Sequence, residues 1–110
     1  MAYNTIMIFI ETSIFTKEIQ RLLPDDNYRM LQTALMLRPD AGSLIRGSGG
    51  LRKIRWSLPC KGKRGALRVI DYWSLPDNIF MLFPYRKTEQ EDLTSDQFKL
   101  LRRMVKELLS

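Results

Sequence analysis

Apolar residues recur along the chain with two different periods, and the changes between them divide it into segments. Thr5–Ile10 is β-branched, aromatic and almost continuously apolar, which predicts a strand buried on both faces. Phe15, Ile19, Leu22 and Leu23 recur at helical spacing until Pro24 stops them. A second helix, capped by Asp25 or Asp26, carries Tyr28, Leu31, Ala34 and Leu35 on one face and ends before Pro39. Glycines and serines make the stretch from Asp40 to Gly50 a loop. Leu51–Trp56 then alternates, with Leu51, Lys53 and Arg55 on one face and Arg52, Ile54 and Trp56 on the other. Beyond a loop at Leu58–Gly65, Ala66–Trp73 and Ile79–Tyr85 read as two further strands, joined by the turn chemistry of Pro76-Asp77-Asn78. Alternation along the last of these groups Tyr85 with Ile79, Met81 and Phe83. Thr94-x-x-Gln97 has the form of a capping box, and it opens a final helix with Phe98, Leu101, Val105 and Leu108 on its apolar stripe.

The predicted order is β-α-α-β-β-β-α, an α+β class. Three consecutive strands with short turns argue an antiparallel meander with the helices packed on one face. Pro84 removes a backbone donor near the end of the last strand, which suggests an edge or strand-terminal position. With 110 residues the chain suffices for one domain and one core.

Charge changes the picture. Between Asp40 and Asp71 stand eight basic residues and no acidic one: Arg46, Arg52, Lys53, Arg55, Lys61, Lys63, Arg64 and Arg68. The whole chain nets +6, so the rest sums to −2 and the positive charge is local. A basic zone rich in arginine and carried on strands points to a polyanionic partner, with nucleic acid the first candidate. A solvated basic face is the plainer alternative.

Other features narrow the chemistry. The longest purely apolar run is Ile6–Ile10, too short for a signal-peptide core or a membrane helix. The lone Cys60 cannot form an internal disulfide, which fits a reducing, cytoplasmic setting. With no histidine, zinc fingers and histidine-based nucleophile or acid–base pairs drop out. Gly47-Ser48-Gly49-Gly50 lacks the Lys-Ser/Thr of a phosphate loop. Catalysis, if any, must rest on Lys, Arg, Tyr, Asp or Glu.

Read in order, three segments carry a resemblance: Gly49-Gly50-Leu51-Arg52-Lys53-Ile54-Arg55-Trp56, then Gly62-Lys63-Arg64-Gly65-Ala66-Leu67-Arg68-Val69-Ile70, then Tyr85-Arg86-Lys87-Thr88-Glu89. With the Asp92-Leu93-Thr94 lead-in to the last helix, they make the chain resemble the RelE/HigB superfamily of bacterial type II toxins, from about residue 5 to 108. The resemblance implies a compact RelE-like (microbial RNase-like) fold spanning residues 1–110 as a single domain. It implies an mRNA interferase, a metal-independent endoribonuclease without a cofactor that cuts mRNA in the ribosomal A site and stops translation. It implies as partners the ribosome and mRNA, a cognate antitoxin of helix-turn-helix type, and operator DNA through the antitoxin complex, with no membrane association.

Attack of a ribose 2′-OH on the adjacent phosphate needs a base for the 2′ proton, positive groups for the phosphorane and an acid for the leaving 5′-oxygen. A crowd of cations depresses lysine pKa values, so a lysine can serve as base. The candidates are Lys53 as proton acceptor beside Arg55 on the scissile phosphate, Arg68 as phosphorane stabiliser, and Lys87 as acid or charge stabiliser, with Tyr85 second. Arg46, Arg52, Lys61, Lys63, Arg64 and Arg86 are candidates for gripping RNA or the ribosome. Each has a structural counterpart. Arg68 could pair with Asp71 or Asp77 at a strand end, Lys87 could be a solvated charge, and Tyr85 could be core. Asp71 departs from the family pattern by placing a negative charge near the basic zone, and Thr88 replaces the commoner Asn or Ser.

Two other classes stay open. One is a catalytically degenerate nucleic-acid-binding module that acts with an antitoxin as a DNA-binding regulator. The other is a protein-interaction domain with an acidic partner.

Overall fold

The computed structural model describes residues 6–57 and 66–109. The predicted loop at Leu58–Gly65, with Lys61, Lys63 and Arg64, lies outside the described residues, as does the start of the strand predicted at Thr5–Ile10. The elements in chain order are β1 (Ile8–Glu11), α1 (Ser13–Leu22), α2 (Asp25–Leu37), β2 (Ser43–Leu44), β3 (Leu51–Trp56), β4 (Leu67–Ser74), β5 (Asn78–Arg86) and α3 (Ser95–Leu109). The class is α+β, with one five-stranded sheet in the order β1-β5-β4-β3-β2. Among the described residues no helix is long and apolar enough to cross a membrane.

The predicted meander forms β3, β4 and β5, paired antiparallel in turn. Two additions enlarge it. The loop after Pro39 contributes β2, a two-residue strand antiparallel to β3. At the far side β1 pairs with β5 in parallel, so the sheet is mixed rather than antiparallel throughout. Being an edge strand, β1 is covered on one face only. Phe9 packs into the core while Ile8 and Ile10 stay 49% and 39% exposed, against the expectation of burial on both sides.

Helices cover both faces of the sheet, not one. Phe15, Ile19 and Leu22 of α1 and Leu31 and Leu35 of α2 pack with Ile54, Leu67, Val69, Ile79 and Met81. Leu101 and Val105 of α3 pack on the opposite face with Leu51, Ile70, Leu82 and Tyr85. A strand alternates its side chains across the sheet, so both apolar sets of β4 and β5 require a cover. The α3 capping box closes as its residues predict: Gln97 N donates to Thr94 Oγ1 (3.1 Å) and Thr94 N to Gln97 Oε1 (2.9 Å). In α2 the cap position falls on Pro24, with no side-chain cap. Asp25 and Asp26 instead occupy the first turn, where carboxylates complement the helix dipole.

One irregularity sets the geometry of the site. Ile70 pairs with Phe83 but its neighbour Asp71 pairs with Met81, so Leu82 is an extra residue in β5. Past this bulge the alternation of β5 reverses. Tyr85 therefore shares a face with Arg68, its cross-strand partner, and not with Ile79 and Met81 as uninterrupted alternation would have it. Thr12 holds the bulge. Its hydroxyl donates to Leu82 O (2.8 Å), its N–H donates to Met81 O (3.1 Å), and its Oγ1 accepts from Phe15 N (3.0 Å) to cap α1. Pro84 also falls in this stretch. It lies in a central strand, yet past the last residue that β1 pairs, so β5 is locally an edge there.

Asp71 lies on the α1–α2 face of β4, away from Arg68. It is 0% exposed, and neither carboxylate oxygen has a hydrogen-bond partner among the described residues. Burial pushes its pKa up to about 7, partly offset by the charge of Arg52, its partner on β3. Its negative charge is thus on the other side of the sheet from the basic row described below.

Thr12→Val should lower unfolding free energy in urea by about 1–3 kcal/mol through the missing cap and the unpaired Leu82 carbonyl, with Thr12→Ser retaining most of it. For Asp71 the folded-state pKa lies above the unfolded value of 3.8. The folded protein then holds the proton that the unfolded chain releases, so stability falls as pH rises from about 4 to about 7 and levels beyond. Asp71→Asn should remove that slope. Urea melts at pH 5 and pH 8 should therefore show the variant gaining on the wild type at the higher pH.

Candidate functional site

Register across the meander assembles the site. Arg55 of β3 lies directly opposite Arg68 of β4, and Arg68 directly opposite Tyr85 of β5. Cross-strand partners share a face, so these three side chains form one row across the sheet, on the α3 side. Lys53 shares the face of Arg55, one pleat further along, and its own partner is Ile70. The sheet thus brings together four of the five residues that the sequence assigns to chemistry.

Arg68 is the unusual member. It is 9% exposed, and its buried Nη1 has no hydrogen-bond partner among the described residues. A guanidinium in that position carries a desolvation cost that a bound anion would relieve. Two arginines directly opposite each other repel, which an anion between them would also offset. The pairing of Arg68 with Asp71 does not form, since Asp71 faces the other way with both oxygens unpartnered.

Tyr85 is 3% exposed and serves both readings at once. Its ring packs with Leu101 and Val105, while its hydroxyl lies 3.4 Å from Asp92 Oδ1. Burial, and then the charge and hydrogen bond of Asp92, push its pKa up to about 12, with nearby Arg68 pulling the other way. The phenol is therefore a proton donor at neutral pH and not a base.

Asp92 figures in the sequence pattern only as part of a helix lead-in. Its Oδ1 accepts from Leu93 N (2.8 Å) and also takes in Lys53 Nζ (3.4 Å) and the Tyr85 hydroxyl. The Leu93 N–H and then Lys53 hold its pKa below the ordinary value. Gln90 steadies the segment by donating from Nε2 to Asp92 O (3.0 Å) and to Gln97 Oε1 (2.8 Å). Nothing in local spacing marks Asp92, because its neighbours come from β3 and β5.

The remaining predicted residues sit elsewhere. Lys87 follows β5 directly and is exposed, with its backbone N–H reaching Ala66 O at 3.4 Å. Arg52 lies on the α1–α2 face, where its Nη1 donates to Gly42 O (2.9 Å) and Asp40 O (3.2 Å) and ties the preceding loop to β3. Arg86 is on that same face by its pairing with Leu67, with a buried Nε and the Glu89 carboxylate in its field. Glu89 also binds Arg21 of α1 (3.0 Å). Arg46 is exposed in the turn between β2 and β3. That turn explains Gly49-Gly50 in backbone terms. Gly50 has φ +121°, and a Cβ there would lie 2.6 Å from Tyr72 Cε1.

Among the described residues no cluster of three or more His, Cys, Asp or Glu could hold a metal ion. The row sets two guanidinium groups and a protonated phenol side by side, with Arg55 its exposed end and Arg68 and Tyr85 buried behind it. The chain matches no protein-family model. Beyond the row stand Lys99, Arg102, Arg103 and Lys106, absent from the sequence-predicted set although their i, i+3, i+4, i+7 spacing on the final helix is visible in the sequence.

The Asp92–Tyr85 contact is testable directly. Asp92→Asn keeps an acceptor for Leu93 N–H but removes the charge, so the Tyr85 pKa should fall from about 12 toward the ordinary value of about 10. A pH titration of the tyrosine Cζ resonance in ¹³C-labelled protein reads this, and an unmoved resonance would detach Asp92 from the site.

Proposed function

We propose that this protein is a ribosome-dependent endoribonuclease of RelE/HigB type, the toxin of a type II toxin-antitoxin pair, and that it acts in the cytoplasm. The observation that carries the reading is the row Arg55–Arg68–Tyr85, with the buried Nη1 of Arg68 left for an anion.

In this reading the scissile phosphate lies against Arg55 and Arg68. The 2′-oxygen attacks phosphorus as Lys53, present for this step as the neutral amine, takes up its proton, and the P–O5′ bond breaks as the Tyr85 phenol gives its proton to the leaving oxygen. The products are a 2′,3′-cyclic phosphate and a 5′-hydroxyl. Arg68 supplies the largest share of charge stabilisation, because a buried, fixed donor needs no reorganisation as the phosphorane forms. Asp92 positions Lys53 and Tyr85 toward the row. Lys87, at the exposed end of β5, extends the positive field toward the leaving strand. The ribosome holds the mRNA in line, so the protein itself needs no deep substrate cleft. An antitoxin carrying acidic residues would block the site by occupying the same phosphate positions, and the pair would meet operator DNA through the antitoxin.

One observation favours a second reading, a binder that does not cut. Lys53 is ion-paired to Asp92 at 3.4 Å, and a lysine held as the ammonium anchors a phosphate but has no lone pair for the 2′ proton.

Cleavage of mRNA in a purified, programmed ribosome complex separates the two. Wild-type protein should cut within the A-site codon. Arg68→Ala should lower the rate by about 10²–10³, the usual effect of losing one fixed donor to a developing oxyanion. Tyr85→Phe, which keeps the packing, should also cut slowly. Folded wild-type protein that leaves the mRNA intact would establish the binder. Undiminished cutting by Arg68→Ala would move the chemistry elsewhere.

A further inference from the structure

The outward side of α3 carries Lys99, Arg102, Arg103 and Lys106, which together line a shallow groove of about 210 Å³. Their spacing sets them in one stripe, turned away from the Leu101 and Val105 that pack on the sheet. Ion pairs join Arg21 with Glu18 and Glu89, and Lys53 with Asp92. Like charges at i, i+3 and i, i+4 lower helix stability, and this stripe contains four such pairings. A helix face that repels itself along its length is neutralised best by a ligand with repeated negative charge.

We propose that this face of α3 is a second binding surface, for the phosphodiester backbone of double-stranded RNA, separate from the Arg55–Arg68–Tyr85 row. At a rise of about 1.5 Å per residue the four cations span about 10 Å. A line of cations of that length can meet successive phosphates of one duplex strand, each contact releasing a counterion. Single-strand binders add aromatic platforms for the bases, and the outward positions of α3 offer none. The contact is therefore with backbone and independent of sequence. A lipid surface fits poorly, because an interfacial helix must bury its apolar face in the bilayer and α3 has already buried its own against the sheet. The choice of RNA among polyanions rests on the proposed function. On a ribosome the stripe would hold ribosomal RNA while the row reaches the mRNA, since the Asp92 segment that closes on the row leads directly into α3.

The test is fluorescence anisotropy of the full chain with a short RNA duplex of arbitrary sequence, between about 50 and 200 mM salt. Replacing all four cations (Lys99→Gln, Arg102→Gln, Arg103→Gln, Lys106→Gln) keeps helix propensity and touches no packed residue. This variant should bind at least about tenfold more weakly, with the slope of log K against log salt reduced by about 0.9 for every phosphate the variant no longer neutralises. The single reversal Arg102→Glu should weaken binding in the same direction, and circular dichroism checks that both variants fold. Lys17→Gln, at an exposed cation of α1 on the opposite side of the sheet from α3, should bind the duplex within about twofold of wild type. The proposal is overturned if the folded quadruple variant binds the duplex as wild type does. It is also overturned if polyglutamate displaces the duplex as readily as unlabelled duplex does, which would indicate an acidic protein partner. The cleavage assay stands apart from this: an Arg68→Ala protein that still cuts would sink the proposed site and leave the duplex-binding result intact.

Discussion

The pairing register of β3, β4 and β5 is the constraint on which the rest depends. Leu67 and Val69 must face α1 and α2, while Ile70 and Tyr72 must face α3. A slip of one residue would exchange the two sets, so burial on both faces locks the ladder. Once it is locked, Arg55, Arg68 and Tyr85 have no freedom to be anywhere but side by side. The bulge at Leu82 belongs to the same constraint. It lets β5 serve both cores near β1 and still turn Tyr85 to the α3 side, and Thr12 satisfies the carbonyl that the bulge leaves over.

The helices decide what the ladder exposes. With α1 and α2 on one face and α3 on the other, both faces of β4 are covered, and so its two charged side chains are costly. Asp71 and Arg68 are three residues apart and face opposite ways, each with polar atoms that lack a partner among the described residues. Their remedies differ. Asp71 can take up a proton, as its raised pKa indicates. Arg68 cannot lose one, so only an incoming anion relieves it. That asymmetry makes Arg68 the better indicator of function of the two.

Much of this is legible along the chain. Binary alternation places β3 on its observed residues, and helical periodicity with Pro24 and Pro39 bounds the first two helices. The Thr94–Gln97 capping box forms as its residues indicate. These are local signals, carried by residues within a few positions of each other. Lys53 and Arg55 on one face follow from the same rule. Simple alternation puts Tyr85 on the wrong face, because one inserted residue reverses a period of two, and a bulge has no sequence signature here. Continuous apolarity in β1 suggests double burial, although an edge strand with a single cover carries the same residues. The side of the sheet on which α3 packs is likewise open, since an amphipathic stripe specifies that a face is buried and not against what.

The sequence by itself determined the principal helices and strands, their order, the local concentration of positive charge and the residue types able to act on a phosphate. Only the tertiary structure decided that Arg68 faces Arg55 and Tyr85, that Asp71 lies behind the sheet, and that Asp92 reaches Lys53 and Tyr85. The physical reason is range. Periodicity and capping act through neighbours in the chain. Register, bulges and the pairing of charges 39 residues apart depend on how two faces of one sheet are filled at once.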